Sequence, residues 1–391
     1  MKSVLRLRVP GRRQRPRSRG FSLVELMVAV ALSLVLTLAV TTVLMRNEGS
    51  SRNTLAVNDI NQSGAYAAYL LDNAVRSAGS GFANRGRETF GCRVNAIRSS
   101  ATILPRTAAW PAPFAAFTQD VRLAPLLIGK GQSATGSDVI AVMRGNAGIG
   151  EAPLEVLGVG SSVGLRNTIG LAANQLLLLA WGGQDCLLLQ AGTPDADTVP
   201  VTGAGSYHNS TDPRGFDDYD ESATVAINLG NAGAAGGTPT SAPLFTLYGV
   251  GANRTLFALD MLAISDGGVP QPIVEGVVEM RALYGVDNDN DGILDAWVDP
   301  GVAPFNMASL LDGSVDAQAN LNRIVAIRIG LVLRTARAER DEVAPTSLVL
   351  FADLAADLQQ TRTLTTAERN FRHRTAEVTV PLRNVLLAAT P

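Results

Sequence analysis

Histidine and cysteine are scarce in this sequence, which has two of each among 391 residues. A zinc site made from these residue types needs three or four of them to converge, and no CxxC or HxxxH spacing is present. Charged residues make up only 17% of the chain, and the net charge is −2. This composition excludes a disordered polyelectrolyte and gives no support for nucleic-acid binding.

The two cysteines, Cys92 and Cys186, lie 94 positions apart. Two cysteines fit a single disulfide, provided that this part of the chain lies outside the reducing cytoplasm. The alternative is a pair of free, buried thiols. We predict the disulfide, conditional on export.

The small net charge hides an uneven distribution. Residues 1–20 contain eight Lys and Arg residues and no acid, whereas the rest of the chain has 25 basic and 35 acidic residues, a net charge of −10. A basic head before an acidic body indicates that the first twenty residues are a separate functional unit.

An apolar run follows the basic segment at residues 21–45, and its single charge is Glu25. A helix of that length spans about 37 Å, enough to cross a hydrocarbon core of about 30 Å. The preceding arginines mark the cytoplasmic side, so the body is expected across the membrane. The small residue Gly20 precedes the apolar run, so cleavage there would leave the helix on the mature chain.

Glu25 is unusual, because a carboxylate inside a bilayer costs several kcal/mol and normally has a partner. Cleavage after Gly20 would give Phe21 a free α-amine four residues before Glu25. An amine of a neighbouring subunit would also neutralise the carboxylate. The alternative is a signal anchor with an acid near the interface.

The segment RGFSLVELMVAVALSLVL resembles the type III signal of type IV prepilins and type II secretion pseudopilins. The resemblance implies that a membrane prepilin peptidase cleaves after Gly20 and methylates Phe21. It also implies that Glu25 supports processing and assembly.

A long helix is expected over residues 21–78, with 21–45 as its transmembrane part. No proline occurs between Pro16 and Pro105, and an apolar stripe continues past the membrane. The stripe consists of Ala56, Ile60, Ala67, Leu71, Ala74 and Ala78. Gly79 and its neighbours predict the end of the helix.

The pattern of residues 79–391 predicts a β-rich domain. For the whole chain we expect a fold of the α+β class, with a long N-terminal helix packed on that domain. Residues 202–243 are rich in Gly, Ala, Asp, Ser and Thr and predict a long surface loop. The predicted strands are Asp138–Met143, Gln175–Trp181, Cys186–Gln190, Leu244–Val250, Thr255–Leu259, Val277–Tyr284, Arg323–Arg334, Ser347–Phe351 and Glu377–Leu382.

Two further segments, VEGVVEMRALYGVDNDNDGILDAWV (274–298) and AEVTVPLRN (376–384), resemble PilW-type minor pilins of the type IV pilus. That resemblance implies a pilin-like fold and a structural, non-enzymatic subunit that helps to prime or cap pilus assembly. The implied partners are other minor pilins, the major pilin, the prepilin peptidase and the inner membrane, with the body in the periplasm and later in the surface pilus.

Two alternatives remain open at this point. One is a minor pseudopilin of a type II secretion system, which shares the long helix and the β-rich body. The other is a pilus-tip adhesin, in which residues 85–260 hold a binding site.

The segment from Asp287 to Gly292 has acids at alternate positions, which is typical of the first half of a calcium loop. The predicted ligands are Asp287, Asp289, Asp291 and Asp295. An EF-hand would need a glutamate where Val298 stands, so a looser calcium turn is the hypothesis. The alternative is a turn rich in Asp and Asn without an ion.

Signals for an enzyme are weak. The single GxSxG match, centred on Ser162, shows no helical pattern after it, as a nucleophile elbow requires. No cofactor other than calcium is predicted.

Overall fold

The computed structural model describes residues 20–98, 101–148, 152–160, 162–200, 207, 224–234, 241–263 and 268–389. Between Leu55 and Ala56 the chain divides into two compact units. The first contains the apolar run, and the second contains the β-rich body together with the later part of the long helix. The helices are α1 Leu23–Arg76, α2 Gly86–Thr89, α3 Met307–Leu310, α4 Val315–Asn322, α5 Thr366–Arg369 and α6 Arg383–Ala389.

The strands are numbered in chain order. Those of the first half are β1 Val94–Arg98, β2 Ala101–Leu104, β3 Leu126–Gly129, β4 Val139–Arg144, β5 Leu154–Val159, β6 Ser162–Leu165, β7 Gln175–Ala180, β8 Cys186–Gln190 and β9 Thr198–Pro200. Those of the second half are β10 Val225–Asn231, β11 Leu244–Gly251, β12 Thr255–Asp260, β13 Gln271–Glu275, β14 Val277–Val286, β15 Ala296–Val298, β16 Ile324–Arg334, β17 Ser347–Leu350, β18 Gln360–Thr363 and β19 His373–Pro381.

Within the described residues these strands form sheets of eight, five, four and two strands. The eight-stranded sheet has the order β2-β1-β8-β7-β10-β5-β6-β9, in which β1 and β8 run parallel and the other neighbours antiparallel. The five-stranded sheet is β13-β12-β11-β4-β3, and the four-stranded sheet is β15-β14-β16-β19. The hairpin of β17 and β18 forms the smallest sheet.

Helix α1 contributes its later part to the main core of the body. Ile60, Ala67, Leu71 and Val75 are buried and recur at helical spacing, so they form one face of the helix. Gly64 lies on the same face, and a Cβ atom there would come within 3.2 Å of Leu333 Cδ1 on β16. The glycine therefore permits a close approach of the helix to the four-stranded sheet.

The expected helix over residues 21–78 corresponds to α1, which begins two residues later and ends at Arg76. Each of the nine predicted strands overlaps an observed strand. The expectation of a surface loop over residues 202–243 was wrong in one stretch, because Val225–Asn231 forms β10. This strand is central in the eight-stranded sheet and has Ile227 and Leu229 fully buried.

Candidate functional site

The start of α1 carries a reciprocal pair of hydrogen bonds. The backbone N–H of Ser22 donates to Glu25 Oε2 at 2.9 Å, and the N–H of Glu25 donates to Ser22 Oγ at 3.2 Å. This is a capping box, in which two N–H groups that the first turn leaves unpaired find side-chain acceptors. The structure therefore gives Glu25 a role in starting the helix, and the S-x-x-E spacing was a signal that the sequence reasoning missed.

Gly20 and Phe21 lie before this cap, outside the helix. Phe21 is 88% exposed, and the space around Gly20 is open enough that a Cβ atom there would contact nothing within 4 Å. A peptide bond in non-helical backbone is accessible to a protease. Cleavage between Gly20 and Phe21 would also leave the N–H of Ser22 as an amide, so the capping box is compatible with both forms of the chain.

The segment Leu23–Met45 is long and apolar enough to cross a membrane, and none of it is buried within the chain. Its large side chains are exposed all round the helix. A stretch this apolar needs lipid or other helices to cover it. Cleavage after Gly20 would leave this surface on the mature chain.

The segment Tyr284-Gly285-Val286-Asp287 contains the last three residues of β14 and the first residue after it. Tyr284 is fully buried, and its hydroxyl oxygen accepts a hydrogen bond from the N–H of Ile128 at 2.5 Å. Burial raises the pKa of Tyr284, so this group stays neutral. A Cβ atom at Gly285 would come within 2.7 Å of Leu294 Cδ1 and 2.9 Å of Ala326 Cβ, so the position needs glycine.

Asp287 organises the acidic loop that follows β14. Its Oδ1 accepts from the N–H of Asn290 at 2.6 Å, and its Oδ2 accepts from the N–H of Gly292 at 2.7 Å. Burial by itself raises the pKa of Asp287, but the backbone donors of Gly292, Asn290 and Asp291 outweigh it and hold the pKa below its usual range. Asp287 is therefore an ionised, nearly buried carboxylate.

Three of the four predicted calcium ligands come together in this loop. One carboxylate oxygen each from Asp287, Asp289 and Asp295 lies within 4.8 Å of the others. Desolvation and the nearby charges of Asp291 and Asp295 raise the pKa of Asp289. Carboxylates that lie close together have this effect because like charges disfavour ionisation.

Asp291 is outside the group, and its Oδ1 accepts from the N–H of Ile293 at 2.7 Å. Its carboxylate closes a local turn, and Asp291 as a fourth calcium ligand stays a prediction.

Arg323, just before β16, supports this loop from the side. Its Nε donates to the carbonyl oxygen of Asp287 at 3.2 Å, and its guanidinium also donates to the side chain of Asn288. The sequence reasoning missed this contact, since nothing local pairs residues that are 36 positions apart. The guanidinium fixes the loop but also brings a positive charge close to the acidic group.

The C-terminal segment joins the body to the end of α1. Leu382 is buried, and the side-chain amide of Asn384 donates to the carbonyl oxygen of Ala78 at 2.9 Å. Ala78 lies two residues after the end of α1, where carbonyl oxygens lack intrahelical partners. The segment around Leu382 and Asn384, which follows the last strand, thus contacts the end of the N-terminal helix.

The two cysteines meet in the structure as a disulfide, with a Cα–Cα distance of 5.5 Å. Cys92 lies just before β1 and Cys186 begins β8, two neighbouring parallel strands. The bond therefore joins the start of the body to the eight-stranded sheet. Ser162 of the GxSxG match lies in a strand rather than at a strand-to-helix turn.

Comparison with known families finds two matches in the sequence. Residues 248–384 match the family described as type IV pilus-assembly protein W, and residues 15–41 match the prokaryotic N-terminal methylation motif. Together these matches leave residues 42–247 outside both. Comparison of the sequence with curated proteins finds no match.

Among solved structures, the chain is similar to a type IV-like pilin from Thermus thermophilus. The identity is 11%, the alignment covers 55% of this chain and 85% of that chain, and the TM-score is 0.23. Helix α1 and the β-rich body carry the assignment to the α+β class.

Proposed function

We propose that this chain, which carries a domain of the type IV pilus-assembly protein W family behind an N-terminal methylation motif, is a minor pilin that helps to prime or cap assembly of the type IV pilus. The observation that carries the proposal is the unburied apolar span Leu23–Met45 directly behind an exposed, non-helical Gly20. Such a span serves first as a membrane anchor and then as part of a helical filament core.

The proposed sequence of events begins in the inner membrane. The basic residues before Gly20 stay in the cytoplasm, and the body lies in the periplasm, where the disulfide between Cys92 and Cys186 persists. The prepilin peptidase cleaves after Gly20 and methylates the new amine of Phe21. Removal of the leader takes away eight positive charges and leaves the anchor helix in place.

Glu25 is proposed to pair with the N-terminal amine of a neighbouring subunit. In the structure, Glu25 Oε2 accepts the hydrogen bond from the N–H of Ser22, and no described residue donates to Oε1. A charge in an apolar environment is stabilised only when it is paired. Bundling of several α1 helices would supply that partner and cover the exposed apolar surface in the same step.

Mass spectrometry of membrane and pilus fractions tests the processing step. We expect a chain that begins with N-methylated Phe21. An intact leader in cells with active prepilin peptidase would contradict the proposal.

The Glu25→Ala variant tests the assembly step. We expect it to insert into the membrane at wild-type levels but to be lost from the pilus fraction, because the neighbouring amine has no partner. Glu48→Ala, which removes another acid of the same helix beyond the membrane span, is the matched control and should assemble. Normal piliation with Glu25→Ala would contradict the pairing.

Deletion of the gene distinguishes a minor pilin from a pseudopilin of type II secretion. For a minor pilin we expect loss of pili and twitching while protein secretion continues. Loss of secretion with intact pili would assign the chain to the secretion system instead.

The acidic loop is a second, independent candidate. We propose that Asp287, Asp289 and Asp295 bind calcium, because one oxygen of each already lies within 4.8 Å of the others. In detergent, the full chain should show a melting temperature that rises with calcium, whereas Asp289→Ala should not respond. Asp316→Ala, an acid on α4 outside the loop, is the control. An equal calcium response in Asp289→Ala would reject the site.

A further inference from the structure

A cavity of about 660 Å³ opens on the body between α2, β5 and the end of β7. This volume falls in the range of about 300–1,000 Å³ that is usual for small-ligand sites. Its walls include Arg85, Arg87, Glu155, Arg166, Asn167 and Trp181. All of its lining residues lie between positions 85 and 225, outside both segments that match known families. The assembly role proposed above does not use this cavity.

The cavity wall carries more positive than negative charge. Glu155 forms two hydrogen bonds with Arg166, at 2.5 and 2.8 Å, and Arg85 lies 3.9 Å from Glu88. The hydrogen bond from Arg166 lowers the pKa of Glu155, so both members of that pair are ionised. Among the described residues, none forms an ion pair or hydrogen bond with the guanidinium of Arg87.

Arg87 is held by its backbone while its side chain is exposed. The carbonyl oxygen of Arg87 accepts from Gln318 Nε2 at 2.6 Å. Gly182 lies so close that a Cβ atom there would be 3.4 Å from the same oxygen. The guanidinium of Arg87, which no described carboxylate pairs with, lies on a fixed backbone at the cavity wall and matches the fork geometry that binds a ligand carboxylate.

Two other side chains add features that favour a sugar ring. Trp181 follows β7 and is half-buried in the cavity wall, and an indole is a rigid, flat side chain of the kind that stacks on the apolar face of a ring. The side-chain carbonyl of Asn167 accepts from the N–H of Ile169 at 3.1 Å, and no described residue accepts from its amide group. A pyranose has an apolar C–H face for the indole and hydroxyl groups that accept hydrogen bonds from an amide.

We propose that this cavity binds a carboxylate-bearing sugar of an extracellular polysaccharide. Trp181 stacks against the sugar ring, Arg87 pairs with the carboxylate, and Asn167 donates to a hydroxyl. A nucleic acid would also offer negative charge and flat rings. Nucleic acid carries a charge on every nucleotide, so the net charge of −10 over residues 21–391 repels it more strongly than a polysaccharide that carries a carboxylate on every second sugar.

Binding is tested with the full chain in detergent and three probes, followed by tryptophan fluorescence and calorimetry. The acidic probe is a tetrasaccharide of alternating glucuronate and N-acetylglucosamine. The neutral probe is a tetrasaccharide of N-acetylglucosamine, and the third probe is a twelve-nucleotide single-stranded DNA. We expect the acidic tetrasaccharide to bind at least tenfold more tightly than the neutral one, with weaker affinity at high salt, and the DNA not to bind.

The variants Arg87→Gln and Trp181→Ala should each lower the affinity for the acidic tetrasaccharide at least tenfold. Arg337→Gln, which removes an exposed arginine after β16, is the matched control and should bind as the wild type does. Because Arg87 is exposed, Arg87→Gln should keep the wild-type melting temperature, so its result stands even if Trp181→Ala unfolds. No binding of the acidic probe at 5 mM, equal binding of the neutral probe, unchanged affinity in Arg87→Gln or tighter binding of DNA would each overturn the proposal.

Discussion

The two halves of α1 have the same secondary structure but opposite surroundings. In the first half, Leu23–Met45 has no buried residue, and side chains such as Leu36 are 67% exposed. In the second half, Ala67, Leu71 and Val75 are fully buried in the core of the body. Both halves are helical because neither contains proline and because the first turn is capped by Ser22 and Glu25.

The difference between the halves lies in their sequence pattern. The first half is apolar on all sides, so it has no polar face that could lie toward water. This pattern is typical of a helix that is surrounded by other molecules. The second half has a single apolar stripe opposite exposed residues such as Tyr66 and Tyr69. One continuous helix can therefore serve a filament or membrane with one half and a globular body with the other.

Loss of the disulfide should produce the largest difference between the halves. Replacing both Cys92 and Cys186 by Ser removes a cross-link between positions 94 apart, and we expect the free energy of unfolding of the body to fall by about 4 kcal/mol. Urea unfolding followed by tryptophan fluorescence measures this loss. The far-ultraviolet signal of the detergent-covered first half should persist after the body has unfolded. Loss of the whole far-ultraviolet helix signal at the urea concentration that unfolds the body would contradict this difference between the two halves.

Truncation of one leucine in each half is a matched pair with a smaller effect. Leu71→Ala leaves a cavity in the main core, and we expect it to cost about 3 kcal/mol. Leu36→Ala removes an exposed side chain, and the stability of the body should stay within about 0.5 kcal/mol of the wild type. Urea unfolding in the same detergent measures both. Equal destabilisation by the two variants would show that the first half also packs on the body.

Low pH should destabilise the body through Glu368, and this should be the smallest of the three predicted effects on stability. Burial alone raises the pKa of Glu368, but the N–H of Thr365 and the guanidinium of Arg362 lower it to about 2. A carboxyl group with a lowered pKa stabilises the fold above its unfolded pKa of about 4.5, and this contribution is lost as the pH falls toward 2.

We therefore expect Glu368→Gln to cost about 1 kcal/mol at pH 7, and the difference from the wild type to shrink below pH 4.5. Urea unfolding at several pH values measures that difference. Asp353→Asn, a carboxylate exposed at 65% in its pair with Arg328, is the control and should cost less. A difference between Glu368→Gln and the wild type that is constant from pH 7 to 2.5 would contradict the assignment.

Regular local patterns predicted a large part of the fold. Strand β16 was predictable because large apolar residues recur at every second position from Val325 to Leu333, and α1 because its stripe has helical spacing. Strand β10 was not, since its seven residues lie in a stretch rich in Gly, Ala and Thr that has the composition of a loop. What makes β10 a strand is its pairing with β7 and β5, which no local pattern shows.

The residues of the candidate site also divide into those that a local sequence pattern predicts and those that it does not. Gly20, Phe21 and Glu25 could be predicted as processing residues because their spacing along the chain is itself the motif. The contacts of Arg323 with the acidic loop and of Asn384 with Ala78 were not, because each joins residues far apart in sequence. From local sequence, Gly64 shows only the general cost of a glycine within a helix, about 1 kcal/mol relative to alanine. The structure shows that a larger residue would meet Leu333.

The close contact of Gly64 with Leu333 and Ala376 also sets an order of events during synthesis. The helix is made first, but the strands that cover its stripe, β16 and β19, are among the last residues of the chain. At a synthesis rate of about 5–20 residues per second, the apolar stripe of α1 is complete on the order of tens of seconds before the strands that cover it are made. Throughout that time the apolar first half is already exposed, so in the proposed function anchoring would precede folding of the body.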